Sequence, residues 1–258
     1  MTPSATASRR LLLITGAAAG LAAGIARALA PDYRIAFTYR PGGTPPDATL
    51  EVVRAYDPEA LAVAADVQTP GQLAAAIAGI LDRRGPIDVA VHALGPIIVR
   101  SFARCTPADY RAMVEGNLTS AVELAFAVLP TMRERSFGRL IFFGMNGSHA
   151  TIPARGMSLY GAAKAGVVTF ARALALEEAR RGITVNVIEP GDIRDKKADR
   201  SEARSIPANN PTGHAGSWQD IAYAVKFLAS DDAAFINGTV VGVNGGLVEP
   251  FEMQDGYR

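Results

Sequence analysis

Leu11-Leu12-Leu13-Ile14-Thr15-Gly16-Ala17-Ala18-Ala19-Gly20 opens on four apolar residues and ends in a glycine-spaced turn. The apolar run predicts a strand buried on both faces. Leu21 to Ala30 then has helical composition. Strand, glycine turn and helix, in that order, make a phosphate-binding arrangement. Glycines let the backbone approach a pyrophosphate, and the helix N-terminus presents free N–H groups at the positive end of its dipole. A tight turn with no ligand has the same glycines, so the rest of the chain must decide.

The same alternation continues. Strands are predicted at Arg34–Tyr39, Ala60–Ala65, Ile87–His92, Leu140–Phe143, Ile183–Ile188 and Thr239–Val243. Helices are predicted near 47–55, 70–84, 106–135, 158–181 and 217–230. Thr106 followed by Pro107 is an N-cap signal with proline at the first helical position. Asn117 falls inside that long helix, where its amide competes for backbone groups. It either faces solvent or marks a local bulge. Residues 192–216 are polar and rich in turn residues, and are the candidate mobile lid. Alternating strands and helices imply one α/β domain over 1–258, a doubly wound seven-stranded parallel sheet with helices on both faces. Residues 1–9 are expected to be a flexible N-terminus, and the tail from Glu249 to Arg258 irregular.

Composition narrows the function. The chain has 258 residues, is 49% hydrophobic and 20% charged, and carries a net charge of +1. That balance gives no electrostatic case for nucleic acid. Cys105 is the only cysteine, so no disulfide framework or thiolate cluster can form. His92, His149 and His214 lack metal-ligand spacing, and no metal is expected. The opening apolar run is too short for a signal-peptide core. No stretch approaches the ~20 apolar residues of a membrane span. A cytoplasmic protein with no membrane partner is the simplest expectation.

The candidate chemistry lies in Ser158-Leu159-Tyr160-Gly161-Ala162-Ala163-Lys164. At i and i+4 the tyrosine and lysine share one helix face. A neighbouring ammonium favours the phenolate, so Lys164 is expected to lower the Tyr160 pKa from about 10. Such a tyrosine suits general acid–base work. At the end of the second strand, an acidic residue would bind ribose hydroxyls, whereas an arginine favours a 2′-phosphate. No Asp or Glu occurs from Arg34 to Gly43, and Arg40 stands there. NADP is therefore expected over NAD, with NAD still possible.

Taken in order, Thr15-Gly16-x-x-x-Gly20, Asp66-Val67, Asn117-Leu118, Tyr160-x-x-x-Lys164, Asn186-Val187 and Pro190-Gly191 resemble the short-chain dehydrogenase/reductase family. The run from Asp220 through Val243-Asn244-Gly245-Gly246 adds to it, so the resemblance spans essentially Arg10 to Leu247. It is nearest to 3-oxoacyl-acyl-carrier-protein reductase-like members. The resemblance implies that Tyr160 donates a proton to a substrate carbonyl and that Lys164 holds the nicotinamide ribose. Asn117 would bind a relay water. Gly16 and Gly20 would admit the pyrophosphate, Asp66 and Val67 would flank the adenine, and Pro190 and Gly191 would lie by the nicotinamide. Thr15, Leu21, Tyr39, Arg40, Ala93, Gly95 and Ile193 complete the implied cofactor contacts. A homotetramer or homodimer is implied as well.

Several positions depart from the pattern. The third glycine of the first turn is Ala22. The usual Asn-Asn-Ala-Gly is His92-Ala93-Leu94-Gly95, and His92 is read as a satisfied structural residue. That loop looks somewhat like the enoyl-reductase version. Enoyl reductases, however, place their tyrosine seven residues before the lysine, and Met157 stands there. The family serine lies about thirteen residues before the tyrosine, at Gly147, with Ser148 next. Counting from the strand end puts Met145 in its place. The carbonyl's second donor is therefore Ser148, Asn146 or neither, with Ser148 the leading candidate. His149 is expected at the pocket rim. A threonine that usually follows Pro-Gly is Asp195. The expected function is NADPH-dependent reduction of a ketone or 3-oxoacyl thioester, or the reverse. The alternatives are a pterin-like C=N reductase and an NADP-binding sensor with little turnover.

Overall fold

Residues 9–247 are described by the computed structural model. Residues 1–8 of the expected flexible N-terminus and the tail from Glu249 lie outside the described residues, while Arg9 is held, donating to the Ala30 carbonyl at 3.1 Å and accepting from Arg34 Nε at 2.9 Å. The apolar run Leu11–Ile14 forms β1, buried along its whole length. It pairs in parallel with β2 (Arg34–Tyr39) on one side and β4 (Val89–His92) on the other. Outward from β2 lies β3 (Leu61–Ala64). Outward from β4 come β5 (Gly138–Phe143), β6 (Ile183–Pro190) and β7 (Val240–Val243). The seven strands are all parallel, in the order β3-β2-β1-β4-β5-β6-β7. Strand order reverses between β1 and β4, and the crevice beyond their carboxyl ends is where such sheets bind ligands.

Helices cover both faces. On one face α1 (Gly20–Leu29) and α8 (Trp218–Ala229) pack with Val53 of α2 (Asp47–Arg54). On the other lie α3 (Gln72–Arg84), α5 (Ser120–Arg135) and α6 (Ser158–Glu178). The stretches Pro107–Arg135 and Ser158–Arg181 are long and apolar enough to cross a membrane by composition. They miss the sequence criterion because their apolar residues are spaced at helical intervals, and that face is packed on the sheet. Gly24 brings α1 and α8 very close: a Cβ there would stand 2.8 Å from the Trp218 indole.

Two stretches differ from the sequence expectation. The predicted helix 106–135 begins with α4 (Pro107–Met113), capped reciprocally by Thr106 and Asp109. A π-helical turn over Val114–Thr119 then interrupts it before α5. Asn117 sits in that turn and is fully buried, so the bulge reading holds and the solvent reading does not. Within 192–216, α7 (Arg200–Arg204) forms behind an Asp199–Glu202 capping box that the turn-rich composition concealed.

One buried relay ties the first turn to the π turn. Ser120 Oγ donates to the Gly116 carbonyl at 3.0 Å. His92 Nε2, at 3.0 Å from Ser120 Oγ, is therefore the donor to it. Nδ1 is left to accept from Thr15 Oγ1 at 3.2 Å. His92 thus joins β1, β4 and the π turn, the support that the missing asparagine left open. Burial, with a smaller push from the Lys164 charge, lowers its pKa to about 3. Replacing His92 by Phe strands the buried Thr15 hydroxyl, and should cost about 1–3 kcal/mol in urea unfolding. Unfolded histidine titrates near 6.5 and native His92 near 3, so only the unfolded state gains this proton as pH falls between them. Wild-type stability should decline over that window more steeply than that of His92→Phe.

Candidate active site

The predicted residues converge on the carboxyl edge of the sheet. Thr15 and Gly16 leave β1, Tyr39 and Arg40 leave β2, Asp66 and Val67 follow β3, Ala93 and Gly95 follow β4, and Pro190, Gly191 and Ile193 leave β6. Gly16 has φ +74° and Gly20 φ +63°, conformations that favour glycine. Ala19 gives α1 no side-chain cap, and its first turn holds no acidic residue. Its N–H groups are therefore open to an anion. Leu21 lies in that turn. Lys196 leans over it, its Cδ 3.5 Å from where a Gly20 Cβ would stand. Ala22 is buried in the core, so the third glycine is replaced at a helix–sheet contact.

Arg40 is exposed at the end of β2, and Tyr39 beside it is half-buried. Asp66 Oδ1 accepts from Gln68 N at 3.0 Å, shaping the loop after β3, while Val67 packs on the core. Gly191 donates to the Val243 carbonyl at 3.0 Å, and Ile193 to that of Gly191 at 3.1 Å. A Cβ on Gly191 would come within 2.5 Å of Asn244 Cα, so the strip after Pro190 lies flat against the loop after β7. Beyond it a cavity of about 320 Å³ opens between Asp192, Arg200, His214 and Asn244. Tyr160, Lys164 and Asn117 do not line it.

Tyr160 and Lys164 occupy the first turns of α6. Lys164 is buried, and its Nζ donates to the Phe143 carbonyl at 2.8 Å, 5.8 Å from the Tyr160 ring centroid. The expected lowering of the phenol pKa is corrected here. Burial pushes Tyr160 up to about 12 and Lys164 down to about 8. Helix spacing brings the pair together, but the ammonium is drawn to a carbonyl while both groups lose water. Asn117 donates from Nδ2 to Met113 O at 3.0 Å and Pro96 O at 3.1 Å. Its buried Oδ1 has no partner among the described residues. Gly95, with φ +145°, leaves it room: a Cβ there would overlap Asn117 Oδ1 at 2.0 Å.

The loop after β5 holds what sequence reasoning missed. Ser148 Oγ donates to Glu189 Oε1 at 2.6 Å and accepts from Met145 N at 3.1 Å. Its hydroxyl proton is committed to a carboxylate rather than offered to a carbonyl. Glu189 also accepts from Gly147 N at 2.9 Å, His149 N at 2.9 Å and His149 Nδ1 at 2.8 Å. Met145 reaches α6, its Cε 3.5 Å from a Cβ position on Gly161. Asn146 Oδ1 accepts from Asn244 Nδ2 at 2.6 Å. The available signal was an acidic residue, Glu189, at the end of a strand buried along nearly its whole length. Met157 is the N-cap residue of α6, one turn before Lys164's own turn begins.

A family model described as enoyl-(acyl carrier protein) reductase matches residues 16–248. A 3-oxoacyl-acyl-carrier-protein reductase of Haemophilus influenzae is 35% identical over 243 residues, which is 92% of this chain and 98% of that one. An acetoacetyl-CoA reductase of Shinella zoogloeoides is 35% identical over 245 residues, again 92% and 98% of the two chains. Among solved structures, an actinorhodin polyketide ketoreductase variant with NADPH gives a TM-score of 0.83 at 30% identity, covering 93% of this chain and 97% of that chain. Levodione reductase gives 0.81 at 30% identity, with 92% and 97% covered. With the glycine turn, the Tyr160–Lys164 pair and the parallel sheet in one frame, the chain belongs to the short-chain dehydrogenase/reductase family of NAD(P)-dependent oxidoreductases.

Proposed function

We propose that the protein reduces a ketone or 3-oxoacyl thioester to the alcohol with NADPH, Tyr160 giving the proton to the carbonyl oxygen. The observation that carries this reading is a neutral, half-buried phenol one helical turn from a buried amine, at the ligand-binding edge of the sheet. The dinucleotide supplies the hydride when bound. Gly16 and Gly20 fit its pyrophosphate, because glycine-only backbone and uncapped N–H groups meet there. Arg40 fits a 2′-phosphate. Lys164 holds the ribose and keeps positive charge beside the phenol. Asn117 Oδ1 is an open acceptor for a relay water. Relatives named as a 3-oxoacyl-acyl-carrier-protein reductase and a polyketide ketoreductase support a C=O substrate. The Met157 position supports it over C=C, against the enoyl-reductase description of the family model, which names a whole family rather than this site. Segment 192–216 serves as the substrate lid. Exposed Phe126 on α5 and Leu176 on α6 support the homotetramer or homodimer.

Three outcomes follow from the site. Tyr160→Phe should lower kcat on a responsive ketone by about 10²–10⁴-fold. NADPH affinity, read by fluorescence titration, should stay within a few-fold. Saturable NADPH binding by the wild type with no carbonyl turned over would instead favour a sensor. Lys164 carries its proton below about 8 and loses it above. Reductive kcat/KM should therefore be level below that pH and fall above it, an assay run from pH 6 to 10. Arg40→Asp should weaken NADPH by about 10–100-fold through a lost charge-assisted bond, and improve NADH relative to it.

A further inference from the structure

Glu189 stands where β6 ends, directly before the Pro190-Gly191 strip. Its side chain is 1% exposed. Four donors from three consecutive residues, Gly147, Ser148 and His149, converge on its two oxygens at 2.6–2.9 Å. The loop is shaped around that carboxylate. A Cβ at Gly144 would stand 2.9 Å from both Glu189 Cγ and Ser148 Oγ. Gly147 takes φ +82° to present its N–H, and Thr151 takes φ +55°, a left-handed conformation uncommon for threonine. Strained backbone of this kind persists only where neighbours over-determine it. The other end of the loop is fixed too. Met145 Cε lies over the first turn of α6, 3.5 Å from where a Gly161 Cβ would stand, and the β5 residue before Gly144 gives its carbonyl to Lys164.

We propose that Glu189 is a positioning residue for the reaction. It locks the loop between β5 and α6 to the strip that follows β6, and so sets Tyr160 and the substrate carbonyl relative to the cofactor. Ser148 belongs to this clamp and supplies no hydrogen bond to substrate. The wall facing the carbonyl at the family serine's place is then the Met145 thioether. This rests on the carbonyl-reductase reading above.

The test compares wild type, Glu189→Gln and Ser148→Ala in single-turnover NADPH oxidation with a responsive ketone, NADPH titration and thermal unfolding. Glutamine turns an NH2 toward backbone donors and cannot hold the loop. Glu189→Gln should slow turnover by about 100-fold, the scale of a misplacement near 1 Å. Its NADPH Kd should stay within threefold of wild type. Ser148→Ala removes one of the carboxylate's four bonds, with the bond from Met145 N, and should slow turnover by only about 3- to 10-fold. Unchanged turnover in Glu189→Gln overturns the proposal, as does a parallel loss of turnover, NADPH affinity and melting temperature. A larger defect in Ser148→Ala than in Glu189→Gln also overturns it, by making Ser148 the direct donor. Should Glu189→Gln fail to fold, Ser148→Ala decides: the 3- to 10-fold slowing at constant Kd supports the clamp, and wild-type turnover refutes it. A wild type inert toward every carbonyl fails the carbonyl-reductase reading, and the clamp with it. An active wild type with an unaffected Glu189→Gln fails the clamp alone.

Discussion

The hydrogen bond from Lys164 to the Phe143 carbonyl holds the reactive helix to the sheet. An ammonium with almost no access to water is costly unless it is paired. Here one backbone oxygen at 2.8 Å is its described partner, and burial lowers the amine's pKa to about 8. The nitrogen has two further protons to give. On the proposed reading a dinucleotide ribose takes them up, and the lysine's cost in the protein alone becomes a source of affinity. The same bond fixes how far the charge lies from the phenol.

The sheet makes that geometry possible. Because every strand is parallel, all carboxyl ends open on one rim, and residues far apart in sequence arrive there together. The reversal between β1 and β4 leaves the crevice. Two local devices then shape its walls. The π turn swings Asn117 inward, where a regular helix would have carried it past, and the Thr15–His92–Ser120 relay holds that turn against the first glycine loop. A family amide is thereby replaced by an imidazole that stays neutral at any working pH.

Much of this was legible in the sequence, because it depends on local pattern. Four apolar residues before a glycine turn, a Thr-Pro cap and a mid-helix asparagine each have few structural solutions. What was not legible depends on residues distant in the chain. Ser148 looks like a donor until Glu189, 41 positions later, takes its proton. Tyr160 and Lys164 do sit one turn apart, yet spacing cannot report water, and burial outweighs the pairing. The α7 cap was masked by its charged surroundings. The two long helices show that periodicity, not total apolar content, decides what a helix faces.

Gly24 has a mechanical consequence. The Trp218 ring is seated so tightly on the backbone of α1 that the start of α8 is effectively bolted to the helix behind the glycine turn. Gly216 N donates to the Asp192 carbonyl at 2.9 Å, so the two ends of segment 192–216 are tied to each other just before that indole. A segment closed at its neck in this way can change shape only between those two residues, while its neck moves with α1 and α8.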